Sequence, residues 1–210
     1  MLSPANPLGI VLFGAGAGGD PCRYSVLLDA FAAAGFVVIA PPGERFSPQT
    51  VTTTQLQARV DDLRNALADN PGRDLPVSVV GHSIGGWAAL CLAGAHPWGR
   101  DGKPVPVTSE PRVTRLVLFA PSVGWFQAPA ALDDITAPIT VHVGAADIIT
   151  PPATAEILRT SPAVTSITVH PNVGHYDFMS VLPPMMKPTP GLDHQTSLDK
   201  LAASTVQALR

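Results

Sequence analysis

The sequence predicts a three-layer α/β fold: a mostly parallel sheet of about six strands with helices on both faces. Three observations predict it. Short apolar runs alternate with longer segments of helical spacing. The runs are apolar throughout rather than at every second residue, as strands covered on both faces require. Gly and Pro, 18 and 23 of 210 residues, stand between the segments and not in a repeat. Strands alternating with helices wind a parallel sheet with right-handed crossovers. The length suits one domain over residues 1–210, and no repeat or linker divides it.

Each element follows from its local pattern. Gly9–Phe13 is too short for a helix and ends at glycine, so it reads as a buried strand. Pro21–Ala34 places Val26, Leu27, Ala30, Phe31 and Ala34 at helical spacing and stops at Gly35. Phe36–Ala40 is the second strand, ended by Pro41-Pro42. Thr53–Ala68 carries Leu56, Val60, Leu63 and Leu67 on one helical face. Val77–Val80 is the third strand and Ile84–Ala95 an Ala/Leu-rich helix. Arg100–Arg112 is polar and contains proline, so it reads as a surface loop. Val113–Phe119, Ile139–Val143 and Val164–Val169 are the last three strands. Helices are expected over Pro152–Arg159 and from about Thr196 to Leu209.

Composition removes several classes of function. Apolar residues make up 46% and charged residues only 14%, which is incompatible with disorder. The net charge of −3 offers no basic patch for phosphates, so no nucleic-acid partner is expected. No apolar stretch approaches a membrane span. Met1 to Pro7 has no Lys or Arg ahead of Leu8–Phe13, so it does not read as a secretory leader, and a cytoplasmic protein is expected. Two cysteines, Cys22 and Cys91, make neither a disulfide framework nor a zinc site, although a single bridge between them stays open.

The chemistry lies in Gly81-His82-Ser83-Ile84-Gly85-Gly86, a G-x-S-x-G pattern between a strand and a helix. A nucleophile on so sharp a turn is crowded on both sides, and Gly81 and Gly85 remove the Cβ atoms that clash. The helix after it offers the Ile84 N–H and its positive end to a developing oxyanion. A serine needs a base, and the base an orienting acid. Asp147 follows the fifth strand in Gly-Ala-Ala-Asp, and His175 follows the sixth in Asn-Val-Gly-His. Both stand where an open α/β sheet places its ligand crevice. Asp177, two residues from His175, is the fallback acid. Of the other histidines, His82 reads as a spacer pointing away from the site, His142 as a satisfied core residue, and His170 as standing too early in its strand.

The order Ser83, Asp147, His175 and the elbow motif resemble the α/β-hydrolase superfamily, from Gly9 to the C-terminus. Within it the chain looks most like compact, lidless hydrolases related to dienelactone hydrolases and small esterases. Gly174-His175-Tyr176-Asp177-Phe178 is similar to the His loop of some of these. Dienelactone hydrolases proper use cysteine where this chain has Ser83, so the resemblance implies their fold and a serine triad but not their substrate. It also implies a second oxyanion donor after the first strand. Phe13-Gly14 stands there in place of the usual His-Gly, which makes the Ala15 N–H the expected donor, with Gly16 next. The same segment, Gly14 to Gly19, spells G-x-G-x-x-G, and a dinucleotide-binding loop with Glu44 on the ribose is the rival reading.

The expected function is therefore hydrolysis of a small carboxylic ester or thioester, without metal or organic cofactor. Perhydrolysis or acyl transfer on the same triad, and a non-catalytic binding role, are the alternatives. The short segment Ala120–Pro138 leaves no room for a large lid. Gly16, Trp125, Phe126 and Tyr176 are the candidate substrate contacts, with Trp87, Phe178, Met179, Met185 and Met186 as weaker wall residues. Cys22 reads as a small buried residue beside the glycine loop. The oligomeric state is not legible.

Overall fold

The computed structural model describes residues 6–47, 49–70 and 74–210. The first five residues, part of the segment read above as no leader, lie outside them. Among the described residues six strands form one parallel sheet: β1 (Ile10–Gly14), β2 (Val37–Ile39), β3 (Val77–His82), β4 (Val113–Phe119), β5 (Ile139–Gly144) and β6 (Val164–His170), in the order β2-β1-β3-β4-β5-β6. The strand order reverses at β1/β3, because the chain first winds outward to β2 and then returns. The register aligns the C-terminal ends: Gly14 opposite Gly81, His82 opposite Phe119, Phe119 opposite His142, and Gly144 opposite His170. All six strands being parallel, six loops leave the sheet along one edge.

Period-two geometry divides each strand between two cores. Ile10, Leu12, Val79, Leu116, Leu118 and Val141 face α2 (Thr53–Ala68) and α3 (Ile84–Leu92). Val11, Phe13, Val80, Val117 and Phe119 face α1 (Ser25–Ala33) and α4 (His194–Leu209). The central strands β1, β3, β4 and β5 are therefore buried on both faces over most of their length. β6 is different. It is the sheet edge, where Thr165, Ser166 and Thr168 are exposed and Val169 is 50% exposed, so it is not covered on both faces as its sequence suggested.

Other boundaries move for local reasons. The stretch 21–34 is two elements, a 3₁₀ turn over Pro21–Tyr24 capped by the Asp20 carboxylate, then α1. Cys22 sits in that turn and is exposed, not buried, and both thiols are free. α3 stops at Leu92 and not at Ala95, because Gly94 turns the chain at φ 110°. Pro152–Thr160 winds as 3₁₀, with i→i+3 bonds such as Thr154 N–H to Pro151 O. α4 begins two residues early because Asp193 caps it through the Thr196 N–H. No helix among the described residues is long and apolar enough to cross a membrane.

His142 is buried on β5 between Phe119 and His170, its Nδ1 2.9 Å from His170 Nε2. It is only half satisfied, contrary to the sequence reading, since its Nε2 has no partner. Burial, reinforced by the neighbouring His170, lowers its pKa from 6.5 to about 4. The unfolded chain therefore binds more protons than the native one between these values, and stability falls as pH falls from 6.5 toward 4. His142→Phe, placed beside Phe119, should flatten the urea-unfolding free energy over that window. The residual slope should come from His170 and His82, whose pKa values burial also lowers.

Candidate active site

Ser83 lies between β3 and α3 with φ 55° and ψ −118°, a conformation unusual for a residue with a side chain. The surrounding backbone determines it. The Ser83 N–H donates to Phe119 O at 2.9 Å, and its carbonyl accepts from the N–H groups of Gly86 and Ser122, both at 3.0 Å. The glycines have steric reasons. A Cβ on Gly81 would stand 2.3 Å from Gly85 O, and one on Gly85 only 1.9 Å from Gly14 O. The first turn of α3 thus packs backbone to backbone against the end of β1. Ser83 places no cap bond on that turn, which begins with the Ile84 N–H.

The structure brings Ser83, His175 and Asp147 into one hydrogen-bonded row. His175 stands at the start of a 3₁₀ turn, His175–Phe178, beyond β6. Its Nδ1 is 2.8 Å from Asp147 Oδ2, and its Nε2 is 3.1 Å from Ser83 Oγ. The carboxylate only accepts, so Nδ1 carries the proton and neutral Nε2 accepts the serine hydroxyl. Asp147, beyond β5, is held by its own turn: Oδ1 accepts the N–H groups of Ile149 and Thr150, each at 2.8 Å. Thr150 Oγ1 lies 2.8 Å from Oδ2 and 3.1 Å from His175 Nδ1. Burial pushes the Asp147 pKa up, but the His175 hydrogen bond and charge and the Thr150 donors outweigh it, and the carboxyl is held below its usual range. Asp177 is not the orienting acid. Its Oδ2 accepts from the Gly174 N–H at 2.7 Å and from the Thr189 hydroxyl, so it closes the base loop and pins the proline-rich stretch.

The glycine loop after β1 belongs to this site. A Cβ on Gly16 would be 3.7 Å from Ser83 Cβ, 3.2 Å from His82 Nδ1 and 3.3 Å from Tyr24 Oη. The Gly16 N–H donates to Tyr24 Oη at 3.1 Å, which removes it as the second-choice oxyanion donor. Glu44, the ribose ligand of the rival reading, accepts from Gln55 through its carboxylate and from Arg59 through its main chain. Among the described residues no group of three or more His, Cys, Asp or Glu is arranged to hold a metal ion.

A pocket of about 80 Å³ opens beside Ser83, lined by Ala17, Phe46, Val51, Ile84, Ser122 and Trp125, with Arg100 at Trp125. The Arg100 guanidinium lies 5.5 Å over the Trp125 ring and donates to Gln49 O at 2.5 Å, bracing two walls. Trp125 is therefore where the sequence expected a wall. Phe126 is not; it is 2% exposed and part of the α3-side core. Tyr176 packs its ring edge-on against His175 and does not line the pocket. Trp87 and Phe178 are core, while Met185 is 94% exposed. A larger hollow of about 290 Å³ lies at the far end of α3, between Cys91, Glu110 and Asp134, and contains none of the three residues of the row.

Sequence reasoning missed Ser122, Thr150, Arg59 and Phe46. Ser122 lies just past the end of β4 with its Oγ 3.5 Å from Ser83 Oγ, and its place beyond a strand end was a usable signal. Thr150 follows Asp147 at the i+3 spacing of a side-chain-capped turn. Arg59 is a charge on the buried stripe of α2, next to Val60 and three residues after Leu56. It is 4% exposed, donates to Glu44 O at 2.6 Å and lies 5.2 Å over Phe46. Phe46 had no periodic segment to mark it.

Comparison with known proteins agrees with this geometry at the level of fold. No family model matches the sequence, and no curated protein does. Among solved structures, the monoacylglycerol lipase of Paleococcus ferrophilus aligns over 97% of this chain and 95% of its own, with a TM-score of 0.62 and 16% identity. A thermophilic esterase of Thermogutta terrifontis, solved with propionate bound, aligns over 98% and 85%, with a TM-score of 0.61 and 18% identity. The acyl-protein thioesterase 2 of Zea mays aligns over 98% and 97%, with a TM-score of 0.57 and 16% identity. The chain has the α/β-hydrolase fold.

The backbone contact at Gly85 yields a direct test. Gly85→Ala must push the first turn of α3 away from Gly14 and should cost about 3 kcal/mol in urea unfolding. Gly124→Ala, where an added Cβ meets nothing within 4 Å, should be neutral or slightly stabilising. Equal effects of the two would contradict the packing described for the elbow.

Proposed function

We propose that the chain is a serine hydrolase that cleaves small carboxylic esters or thioesters through an acyl-enzyme. The observation that carries this reading is the unbroken row Ser83 Oγ, His175 Nε2, His175 Nδ1, Asp147 Oδ2 at the edge of the sheet where its loops converge. The names of the structurally similar proteins, a lipase, an esterase and a thioesterase, support the substrate class.

In this reading Ser83 Oγ attacks the acyl carbonyl and passes its proton to His175 Nε2. Asp147 stabilises the imidazolium that results. The carbonyl oxygen, now an oxyanion, is held by the N–H groups of Ile84 and Ala15, each such donor being worth about 10²–10³ in rate. Collapse expels the alcohol or thiol, which takes the proton back from Nε2. A water then enters, gives a proton to Nε2 and attacks the acyl carbon; the bond to Ser83 Oγ breaks, Oγ takes the proton back from Nε2, and the acid leaves.

The pocket indicates a short acyl group. Its volume of about 80 Å³ is small. Its apolar walls Phe46, Val51 and Trp125 suit an acetyl, propionyl or butyryl chain.

A fluorophosphonate should add once to the wild type, read by intact mass, and not to Ser83→Ala. On a ladder of p-nitrophenyl esters kcat/KM should be highest for the short chains and fall at least tenfold by octanoyl. Trp125→Ala should move the optimum to longer chains. An unlabelled wild type would leave a non-catalytic binding role as the better account.

A further inference from the structure

The network beneath the site has a function that the row of three does not include. Tyr24 and His82 are both buried, at 1% and 0% exposure, and neither faces the pocket. Tyr24 Oη is 2.8 Å from His82 Nδ1, and His82 Nε2 is 3.0 Å from the main-chain oxygen of His175. With the Gly16 N–H on Tyr24 Oη, this makes a chain of three bonds joining the glycine loop, the serine elbow and the base loop.

The direction of every bond in that chain is determined. The His175 carbonyl only accepts, so His82 Nε2 carries the proton. A dry site disfavours a charged ring, so His82 is neutral and its Nδ1 is a lone pair. Tyr24 must then donate to Nδ1, which leaves its oxygen to accept the Gly16 N–H. Replacing the hydroxyl by hydrogen orphans two buried groups at once, a main-chain donor in one loop and a ring acceptor in another. The peptide that carries the Gly16 N–H is also approached from its other end, where Arg59 Nη1 lies 3.5 Å from Ala15 O.

We infer that Tyr24, acting through Gly16 and through His82, is a positioning residue that sets the distance between the glycine-loop donor and the base. The inference rests on the serine-hydrolase reading. The oxyanion donor expected at Ala15 is one residue from the Gly16 N–H that Tyr24 holds, and the main chain of His175 is the acceptor at the other end. A donor displaced from its place weakens binding of the tetrahedral oxyanion more than binding of the flat carbonyl, so the loss falls on kcat and spares KM.

The test is Tyr24→Phe, assayed on a short p-nitrophenyl ester with active sites counted by fluorophosphonate. The expected result is a kcat lower by at least tenfold per labelled site, a KM within twofold, and an unchanged acid limb of the pH profile, because the His175 ring keeps its partners. A merely structural role would lower the Tm and the number of labelled sites but leave kcat per site intact. Histidine ¹⁵N NMR of the wild type provides a second reading that needs no variant: His82 should be the neutral Nε2–H form from pH 6.5 to 9. An Nδ1–H tautomer, a His82 that titrates in that range, or an unchanged kcat in Tyr24→Phe overturns the inference. A wild type that neither labels nor turns over removes the hydrolase reading and this one together. A labelled, active wild type beside a fully active Tyr24→Phe removes only this one.

Discussion

The contact between the main chains of Gly85 and Gly14 is the constraint on which the site is built. It lets α3 begin directly against the end of β1, with no side chain between them. The turn at Ser83 is sharp because that approach is close. A non-glycine residue at positive φ costs on the order of 1–3 kcal/mol and persists only where its surroundings over-determine it. Here the peptide groups of Ser83 are tied to β4 through Phe119 O, to the loop after β4 through the Ser122 N–H, and to α3 through the Gly86 N–H. The strain is therefore shared by three elements that are themselves buried on both sides of the sheet. The nucleophile candidate inherits its position from the core.

Those parts of the molecule whose physics is local were legible in the sequence. Thr53–Ala68 was readable to the residue because a four-residue apolar stripe acts within one segment, and the structure closes its start with a capping box at Thr52 and Gln55. Val113–Phe119 was readable because its second half, Leu116–Phe119, is an unbroken apolar run on a strand buried on both faces. Ser83, Asp147 and His175 could be picked out because each stands just past a strand end, and a parallel sheet gathers such positions at one edge. What could not be read depends on contacts between distant segments. Phe126 and Trp125 are adjacent in sequence and equally apolar, yet only Trp125 reaches the pocket. Cys22 has no local feature that says it faces water. His82 was read as a spacer because its partners are 58 and 93 positions away.

The glycine loop shows how one motif supports two readings until packing decides. Gly14 to Gly19 has the spacing of a phosphate-binding turn, and the reasons for glycine in such a turn are close backbone approach and left-handed conformation. Both reasons operate here, but toward protein. Gly14 approaches Gly85, Gly16 approaches Ser83 and the His82 ring, and Gly19, at φ 70°, backs onto Gly43 O. The pattern reports that the backbone comes close to something. The folded chain identifies that something as the elbow and the segment after β2.

Burial treats the histidines of this region alike, and their partners make them different. His82 is enclosed by Tyr24, Phe178 and the His175 ring, and burial above all, with the His175 charge behind it, lowers its pKa well below the usual value. His142 is enclosed by Phe119 and His170 and is likewise kept neutral. Both stay neutral in the neutral range because burial outweighs what little nearby favours the cation. His175 lies in the same cluster, its ring centroid 4.8 Å from that of His82, but it alone of the three faces a carboxylate. That carboxylate is in turn kept ionised by two main-chain N–H groups and a threonine hydroxyl. The ring that meets the carboxylate is also the one 3.1 Å from Ser83 Oγ. The turn that ends β5 presents Asp147 to the His175 ring, and the sheet thereby sets one imidazole apart from its neighbours.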